Sequence, residues 1–301
     1  MRPPLLDSRP IQVRGTLVSI ARLDADDFLF LSDPEAAVRA LRASRRGADL
    51  FTFLQPLPDS SIRYPYPYEM DNFAALPITT FDEWWNKQIG FKARNKAKQA
   101  AKKGVVVREV SLNEKLVEGI WEIYNETPIR QGRRFPHYGK GLDAVRRMSA
   151  TFPEHSIFLG AFYGDRLIGF VKLVADQTRT QAGLMHILSL IAHREKAPTN
   201  ALVAAAVRAC ADRGIRYLTY ARYAYGRKEQ SSLADFKERN GFVRMDVPRY
   251  YVPLTPWGAL ALRLGLHRSL KERIPEGVAA PLRSLRAAWY QRRFGAAVES
   301  A

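Results

Sequence analysis

Cysteine, acidic residues and long apolar runs are all scarce in this 301-residue chain. A single cysteine, Cys210, excludes an intramolecular disulfide, and the helical pattern around it indicates a small core residue. The five histidines lack the spacing of metal ligands, so we expect no metal site. The longest apolar run near the end, residues 257–266, contains Arg263 and is too short to span a bilayer. Residues 1–10 lack the apolar segment of a secretory signal, and we therefore expect a cytoplasmic protein.

Basic residues outnumber acidic ones. The chain has 47 Lys and Arg against 30 Asp and Glu, which gives a formal net charge of +17. Such a charge indicates an anionic partner: a nucleotide cofactor, tRNA, an acyl carrier protein or a membrane surface. A basic surface that only meets water is the alternative. The charge concentrates in residues 91–108, which hold seven basic residues and no acid, in residues 130–147, and in a third segment that begins at Arg263.

Residues 11–90 have the pattern of a compact α/β unit. Its expected elements are a strand or hairpin at 11–23, a helix from Asp33-Pro34 to about Arg45, a strand at 50–54 and a loop at 56–68. Thr80 and Glu83 then have capping-box spacing, which predicts one long helix from Thr80 to Lys103, with Gly104 as its stop.

Residues 105–254 alternate between strands and helices. Gly164-Asp165 fits a two-residue hairpin turn, and the apolar stretch 182–192 predicts a central strand. The expected order is a strand at 105–110, helices at 111–127 and 143–148, strands at 157–163, 167–174 and 182–192, a helix at 201–213, a strand at 215–220, a helix at 232–239 and a strand within 242–254.

This order of elements, most specifically in residues 156–242, resembles the GNAT superfamily of acyltransferases. The resemblance implies a mixed α/β fold in which two central strands splay apart and a loop before a helix holds the pyrophosphate of coenzyme A. The matching loop runs from Arg194 to Thr199, with Ala197 and Thr199 where the family usually has glycines. The segment from Phe236 to Phe242 resembles the family's closing helix, which ends in Gly-Phe. The donor-binding residues so implied are His193, Arg194, Lys196, Thr199 and Asn200.

A second resemblance is to the Fem-type, peptidoglycan bridge-forming branch of that superfamily. It rests on Arg94, on the lysine-rich helix that leads into Val105, and on the Phe236-Lys237 pair. Fem-type proteins contain two GNAT-like lobes, the first often degraded, and some use aminoacyl-tRNA as donor. The division implied here is a shortened GNAT-like lobe at 1–90, a linking basic helix at 91–104, an acyltransferase domain at 105–254 and basic amphipathic helices at 255–301.

Acyl transfer to an amine needs a base, a polarised carbonyl and a proton for the leaving group. Residues 124–138 concentrate suitable groups. The candidates are Glu126 and His137 as bases, with Arg130, Arg133, Tyr138 and the more distant Lys237 as substrate contacts. The alternative for this segment is a helix-ending loop with surface arginines and a packed His-Tyr pair.

His186 is a further candidate base, because the superfamily often places one on its central strand. Alternation puts it on the same face as Leu184, Leu188 and Leu190, and a core histidine with satisfied hydrogen bonds is the alternative. The resemblance also implies a tyrosine that protonates the leaving thiolate. Tyr220, Tyr223 and Tyr225 are in range, and Tyr223 is the candidate selected.

The sequence therefore predicts an N-acyltransferase that moves an acyl group from acyl-CoA or an acyl carrier protein to a primary amine of a small molecule or peptide. Two alternatives stay open: an aminoacyl-tRNA-dependent aminoacyltransferase, favoured by the basic residues 91–108, and a non-catalytic module that docks on a membrane or carrier protein. The C-terminal residues 254–294 mix apolar and arginine side chains, which is typical of a helix on the inner face of a membrane or of one packed on the protein body.

Overall fold

The computed structural model describes residues 5–6, 9–44, 47–130, 132–224 and 232–268, together with 281, 285–286, 288–290 and 292. The strands are β1 (Leu5–Leu6), β2 (Arg9–Arg14), β3 (Ile20–Leu23), β4 (Leu50–Leu54), β5 (Tyr68–Pro77), β6 (Val105–Glu109), β7 (Ile129–Arg130), β8 (Arg133–Arg134), β9 (Ser156–Tyr163), β10 (Arg166–Ala175), β11 (Gln181–Ser189), β12 (Tyr217–Arg222) and β13 (Val243–Pro253).

The helices alternate with these strands. They are α1 (Pro34–Ala43), α2 (Phe81–Glu83), which continues as a π-helical turn over Trp84–Gln88, α3 (Phe91–Lys102), α4 (Glu114–Asn125), α5 (Leu142–Ser149), α6 (Pro198–Ala211), α7 (Ser232–Arg239) and α8 (Pro256–Arg263). Most caps follow the sequence: the side chain of Asp33 accepts from Ala36 N at the start of α1. For α4 the cap is Asn113, two residues after the predicted start of the helix at 111.

One mixed sheet of eleven strands organises the described residues, in the order β1-β2-β3-β4-β13-β5-β12-β11-β10-β9-β6. The sequence missed β5, which lies at the middle of this sheet between β13 and β12. Its first half is polar and its second half small and apolar, so no alternation marks it as a strand. Through β5 and β13 the N-terminal segment and residues 105–254 share a single sheet.

The long helix predicted from Thr80 to Lys103 is wrong, because the chain breaks at Gly90. Ile89 and Gly90 both have extended backbone, and Gly90 N donates to Arg239 O at 2.8 Å. A Cβ at position 90 would lie 3.1 Å from that same carbonyl oxygen. Glycine therefore lets the chain dock against the end of α7 and start α3 in a new direction.

The two faces of the sheet carry different helices around β10. Tyr124 of α4 packs on Phe170, whereas a Cβ on the preceding Gly169 would meet Leu202 of α6. Because successive strand residues face opposite sides, α4 and α6 cover opposite faces.

β11 and β12 form the only parallel pair in the described half that follows α3. Their paired residues run from Gln181 to Gly183 on one strand and from Tyr217 to Thr219 on the other. Beyond that point β11 continues to Ser189 without β12 beside it, so a cleft opens between the two strand ends. This is the splay that the GNAT resemblance implies.

A β-bulge in β11 corrects the predicted facing of His186. Leu184 lies opposite Leu173 but His186 lies opposite Lys172, with one extra residue between them. Leu173 and Lys172 face opposite sides of the sheet, so His186 and Leu184 do too, and alternation placed them wrongly on one face. His186 instead shares the α4 face with Leu188, whose partner is Phe170.

Candidate functional site

The loop between β11 and α6 borders the open cleft. A 3-10 turn over Ile191–Lys196 leads to Ala197, which has left-handed backbone (φ 54°), and Pro198 begins α6. The hydroxyls of Ser189 and Thr199 lie 3.0 Å apart and join the end of β11 to the first turn of α6. The loop is thus closed on itself at its base.

Glu126 anchors this loop to α4. Its carboxylate accepts hydrogen bonds from Ile191 N at 2.7 Å and from Ala192 N at 2.9 Å. Arg130 Nη2 donates to the same carboxylate at 2.9 Å, while its Nη1 donates to Ser189 O at 2.8 Å. The sequence assigned Glu126 as a base and Arg130 as a substrate clamp, but the geometry uses both groups to hold the loop.

These contacts leave few loop amides for a pyrophosphate. The amides of Ile191 and Ala192 are bonded to Glu126, and Ala197 N donates to Arg194 O. Pro198 has no N–H, although it stands at the first position of α6. An anion site at a helix N-terminus depends on free N–H groups, and these four positions offer none.

Three of the donor residues implied by the resemblance line the same loop. Arg194 is exposed, Lys196 pairs with Glu195 at 2.6 Å and lies over the ring of Tyr163, and His193 packs 5.8 Å from that ring. All three are therefore on the outer side of the turn.

A basic groove lies beyond the start of α6. It has a volume of about 790 Å³, and its described lining holds five basic side chains and no acidic one. The basic members are Lys92, Lys96, Lys98, Lys102 and Arg239. Asn200, an implied donor residue in the first turn of α6, lines it as well. The groove therefore connects the lysine-rich face of α3 to the loop that borders the cleft.

An aromatic cluster on the α4 face holds two of the predicted bases. The His137 ring stacks on Tyr124 with centroids 4.5 Å apart, and His186 meets His137 edge-on at 5.6 Å. Burial, reinforced for His137 by Lys140 and for His186 chiefly by His137, lowers the pKa of each imidazole to about 4. Both rings are half-buried and neutral near pH 7, so each retains a nitrogen lone pair that can accept a proton.

Lys172 is a fully buried cation that sequence reasoning missed. Its Nζ donates to Ser149 O, Thr151 O and Thr151 Oγ1 at 2.6–2.9 Å. The first of these carbonyls ends α5, where the helix dipole favours a positive charge. Burial lowers the pKa of Lys172 to about 8. As the cross-strand partner of His186, it places a positive charge behind the imidazole. Its signal in the sequence is a lone lysine within an apolar strand.

Lys237, which the sequence predicts as a substrate contact, is also fully buried. Its Nζ donates to Arg222 O at 2.6 Å and lies 4.9 Å from the Tyr220 ring centroid. Burial lowers its pKa to about 8. The ammonium thus supports the end of β12, on the opposite side of the cleft from His186.

The remaining predicted residues are Tyr223, Arg133, Tyr138 and Tyr225. Tyr223 follows β12, is half-buried, and donates its backbone N–H to Asn72 O at 3.1 Å. Arg133 on β8 and Tyr138 are exposed. Tyr225 lies outside the described residues.

The described residues contain no group of three or more His, Cys, Asp or Glu placed to hold a metal ion. Within the same part of the chain, no helix has both the length and the apolarity that crossing a membrane requires.

Comparisons with known proteins place this geometry in a fold. No family model matches the sequence, and no curated protein matches it. FemX is similar over 84% of this chain and 86% of its own, with a TM-score of 0.60 and 10% identity. L-PGS from Bacillus licheniformis is similar over 87% and 82%, with a TM-score of 0.55 and 12% identity.

A third solved structure is the C-terminal domain of a protein assigned as a lysylphosphatidylglycerol synthetase from Agrobacterium fabrum. It covers 84% of this chain and 83% of its own, with a TM-score of 0.53 and 14% identity. The chain shares its fold with FemX and L-PGS. This confirms the predicted mixed α/β fold class and the predicted likeness of the fold to Fem-type proteins.

Proposed function

We propose that this protein transfers an aminoacyl group from an RNA-linked donor to a primary amine, with the donor's phosphate backbone in the α3 groove. The observation that carries this proposal is the groove itself, which is about 790 Å³ in volume and whose described lining has five basic side chains and no acidic one. Phosphate contacts from Lys and Arg supply most of the affinity of proteins for nucleic acids. The Fem-type resemblance supports the same choice, because some members of that branch use aminoacyl-tRNA.

The loop before α6 also favours RNA over coenzyme A. The amides of Ile191 and Ala192 already donate to Glu126, and Pro198 lacks an N–H. A compact pyrophosphate therefore has few hydrogen-bond donors in this loop. An RNA 3′ end needs no such cradle, since its phosphates are spread along the strand. The groove along α3 provides cations over three turns of helix, from Lys92 to Lys102.

In the proposed reaction the acceptor amine enters on the α4 face, beside His186 and His137. A neutral imidazole removes a proton from the amine, whose nitrogen then forms a bond to the ester carbonyl carbon of the donor. The bond from that carbon to the ribose oxygen breaks, and the departing oxygen takes up a proton. We assign His186 as the base, with His137 stacked beside it, and Tyr223 as the group that protonates the departing oxygen.

Other residues take supporting roles in this proposal. Glu126 and Arg130 position the loop, and Lys237 and Lys172 place positive charge behind the two walls of the cleft. Arg133 and Tyr138 are exposed near the acceptor side and suit an acceptor that carries a carboxylate or phosphate. The acceptor class is a small molecule, a peptide or a lipid headgroup with a primary amine.

A second candidate function keeps the fold and changes the donor to acyl-CoA or an acyl carrier protein. The observation that favours it is Arg194, which is exposed at the position where the GNAT loop carries its arginine. The acid-free groove would then receive the acidic surface of a carrier protein.

The test is RNA binding by the purified protein as a function of salt. We expect the double substitution Lys96→Glu with Lys102→Glu to weaken binding of a charged tRNA pool at least tenfold. It should also reduce the slope of log affinity against log salt by about 1.4 to 1.8, since two phosphate contacts are lost. The matched control is Lys87→Glu with Lys115→Glu, two exposed lysines outside the groove. Equal effects of both pairs, or binding of acyl-CoA alone, would contradict the RNA donor.

A further inference from the structure

Apolar side chains are exposed together at the start of the C-terminal region. In α8, Trp257, Leu260 and Leu264 are 44%, 47% and 60% exposed. Their spacing of three and four residues places them on one face of the helix and the turn that follows it. The adjoining face of α8 is buried, because Ala261 packs with Val18 and Leu50. The exposed face is therefore a second apolar surface on a helix that already has its core contact.

The hairpin turn between β2 and β3 extends this surface. Trp257 Nε1 donates to Leu17 O at 3.0 Å, and the Leu17 side chain is 75% exposed. We call Leu17, Trp257, Leu260 and Leu264 the α8 patch. Isolated exposed leucines are ordinary on protein surfaces, but a contiguous group that includes a tryptophan marks an interaction site.

The charge around the α8 patch identifies the kind of partner. Arg14 and Arg263 are exposed and lie within three residues of its members in the chain, whereas the nearby Arg268 is paired with Glu69 at 2.7 Å. Between residues 256 and 301 the sequence has eight Lys and Arg against three Glu. Among the described residues of that segment, Leu285 and Trp289 are again exposed large apolar side chains, with exposed Arg286 between them in sequence.

We infer that the α8 patch docks the protein on an anionic membrane surface, with its leucines and tryptophan in the headgroup layer and the arginines on lipid phosphates. Tryptophan is favoured at that depth because its ring is amphipathic, and arginine is attracted by the negative potential of anionic lipids. A protein partner would need an apolar groove of its own that fits this patch, and no feature of the patch indicates such a partner. The inference does not depend on the proposed transfer reaction.

The experiment is co-sedimentation of the full chain with vesicles of phosphatidylcholine alone and of phosphatidylcholine with one quarter phosphatidylglycerol. We expect binding to the anionic vesicles, and a blue shift of tryptophan emission on binding. Leu260→Ser with Leu264→Ser should weaken vesicle binding about tenfold, since it removes two apolar side chains from the headgroup layer. Arg263→Gln should weaken it less and should reduce its salt dependence.

The matched control is Ile62→Ser with Val106→Ser, which removes two comparably exposed apolar side chains, 55% and 61%, far from α8 in sequence. That control should bind vesicles like the wild type. Circular dichroism melting checks that each variant is folded. Vesicle binding that is unchanged in the Leu260/Leu264 variant would overturn the inference. So would the absence of vesicle binding combined with concentration-dependent dimerisation that the same variant abolishes.

Discussion

At the scale of single residues, the proposed base of the transfer reaction requires that the two imidazoles are neutral. His137 and His186 are packed against Tyr124 and against each other, and Lys140 and Lys172 add positive charge nearby. Both effects favour the neutral ring, since burial removes water from a cation and like charges repel it. A neutral ring keeps the nitrogen lone pair that a base needs, and its pKa of about 4 makes it a weak base at neutral pH.

The same pKa shifts make folding stability depend on pH. Above pH 6.5 both histidines are neutral in the folded and unfolded chain, so their contribution to folding stability is fully present. As the pH falls from 6.5 towards 4, the unfolded chain takes up protons that the folded protein does not, and stability is lost. We expect about 1 kcal/mol per histidine, discounted because both rings are partly exposed.

Urea unfolding at pH 7 and pH 4.5 measures this loss. His137→Gln with His186→Gln should lose clearly less stability over that interval than the wild type, because it has removed both groups. His155→Gln, at a histidine outside the cluster, is the control and should behave like the wild type. An identical pH dependence in all three proteins would show that the imidazoles titrate normally.

At the scale of elements, Glu126 couples α4 to the loop before α6. Glu126→Gln replaces one acceptor oxygen by a donor that would face a backbone N–H, and it removes the charge that pairs with Arg130. We expect a loss of about 1 to 3 kcal/mol in stability, because hydrogen bonds to a charged carboxylate are lost. We also expect faster hydrogen exchange at the amides of Ile191 and Ala192.

A positioning role predicts a characteristic kinetic change in the same variant. Donor KM should rise more than kcat falls, since the loop would be misplaced while the histidines stay. Glu122→Gln is the control, because Glu122 makes only a long, exposed pair with Arg166. A large fall in kcat with unchanged amide exchange would return Glu126 to the role of a base.

The sequence predicted most elements of the fold but not their junctions. Capping signals and periodicity located α1, α4, α6 and the hairpin of β9 and β10, because these features are local. The break at Gly90, the strand β5 and the bulge before His186 were missed or wrong. Each depends on a contact distant in sequence: Gly90 docks on Arg239, β5 fills a gap between β12 and β13, and the bulge is visible only in the register with β10.

Candidate site residues were harder to assign than the fold. Charge density pointed correctly to the α3 segment as a basic surface, and residue type pointed to His137 and His186. The hydrogen bonds of Glu126 and Arg130 and the burial of Lys237 cannot be read from residue type. The buried Lys172 shows the same limit, since a strand lysine is normally a surface residue.

At the scale of the whole molecule, a buried ion cluster joins the N-terminal segment to the central sheet. Arg249 of β13 donates to Asp71 of β5 and to Asp26 of the loop after β3, both at 2.6 Å, and to Asp27 at 3.3 Å. Arg249→Met would leave these carboxylates without their shared cation in a largely buried site. We expect a loss of about 3 to 5 kcal/mol in urea unfolding.

The matched control for this cluster is Arg244→Met on the same strand. Arg244 pairs with Asp246 at 2.9 Å in an exposed position, and such pairs contribute about 0 to 1 kcal/mol. Equal effects of the two substitutions would show that the Arg249 cluster does not hold the sheet together.

The central claim is that an RNA-linked aminoacyl group is the donor. The most direct measurement is the rate at which an added primary amine releases the aminoacyl group from a charged tRNA pool. The rate at which the same amine releases the acyl group from acetyl-CoA and longer acyl-CoAs is measured in parallel. The account predicts faster discharge of tRNA when a primary amine is added, lost in the Lys96→Glu/Lys102→Glu protein and retained in the Lys87→Glu/Lys115→Glu protein. Discharge of acyl-CoA alone, or discharge of tRNA that the groove variant leaves unchanged, would contradict it.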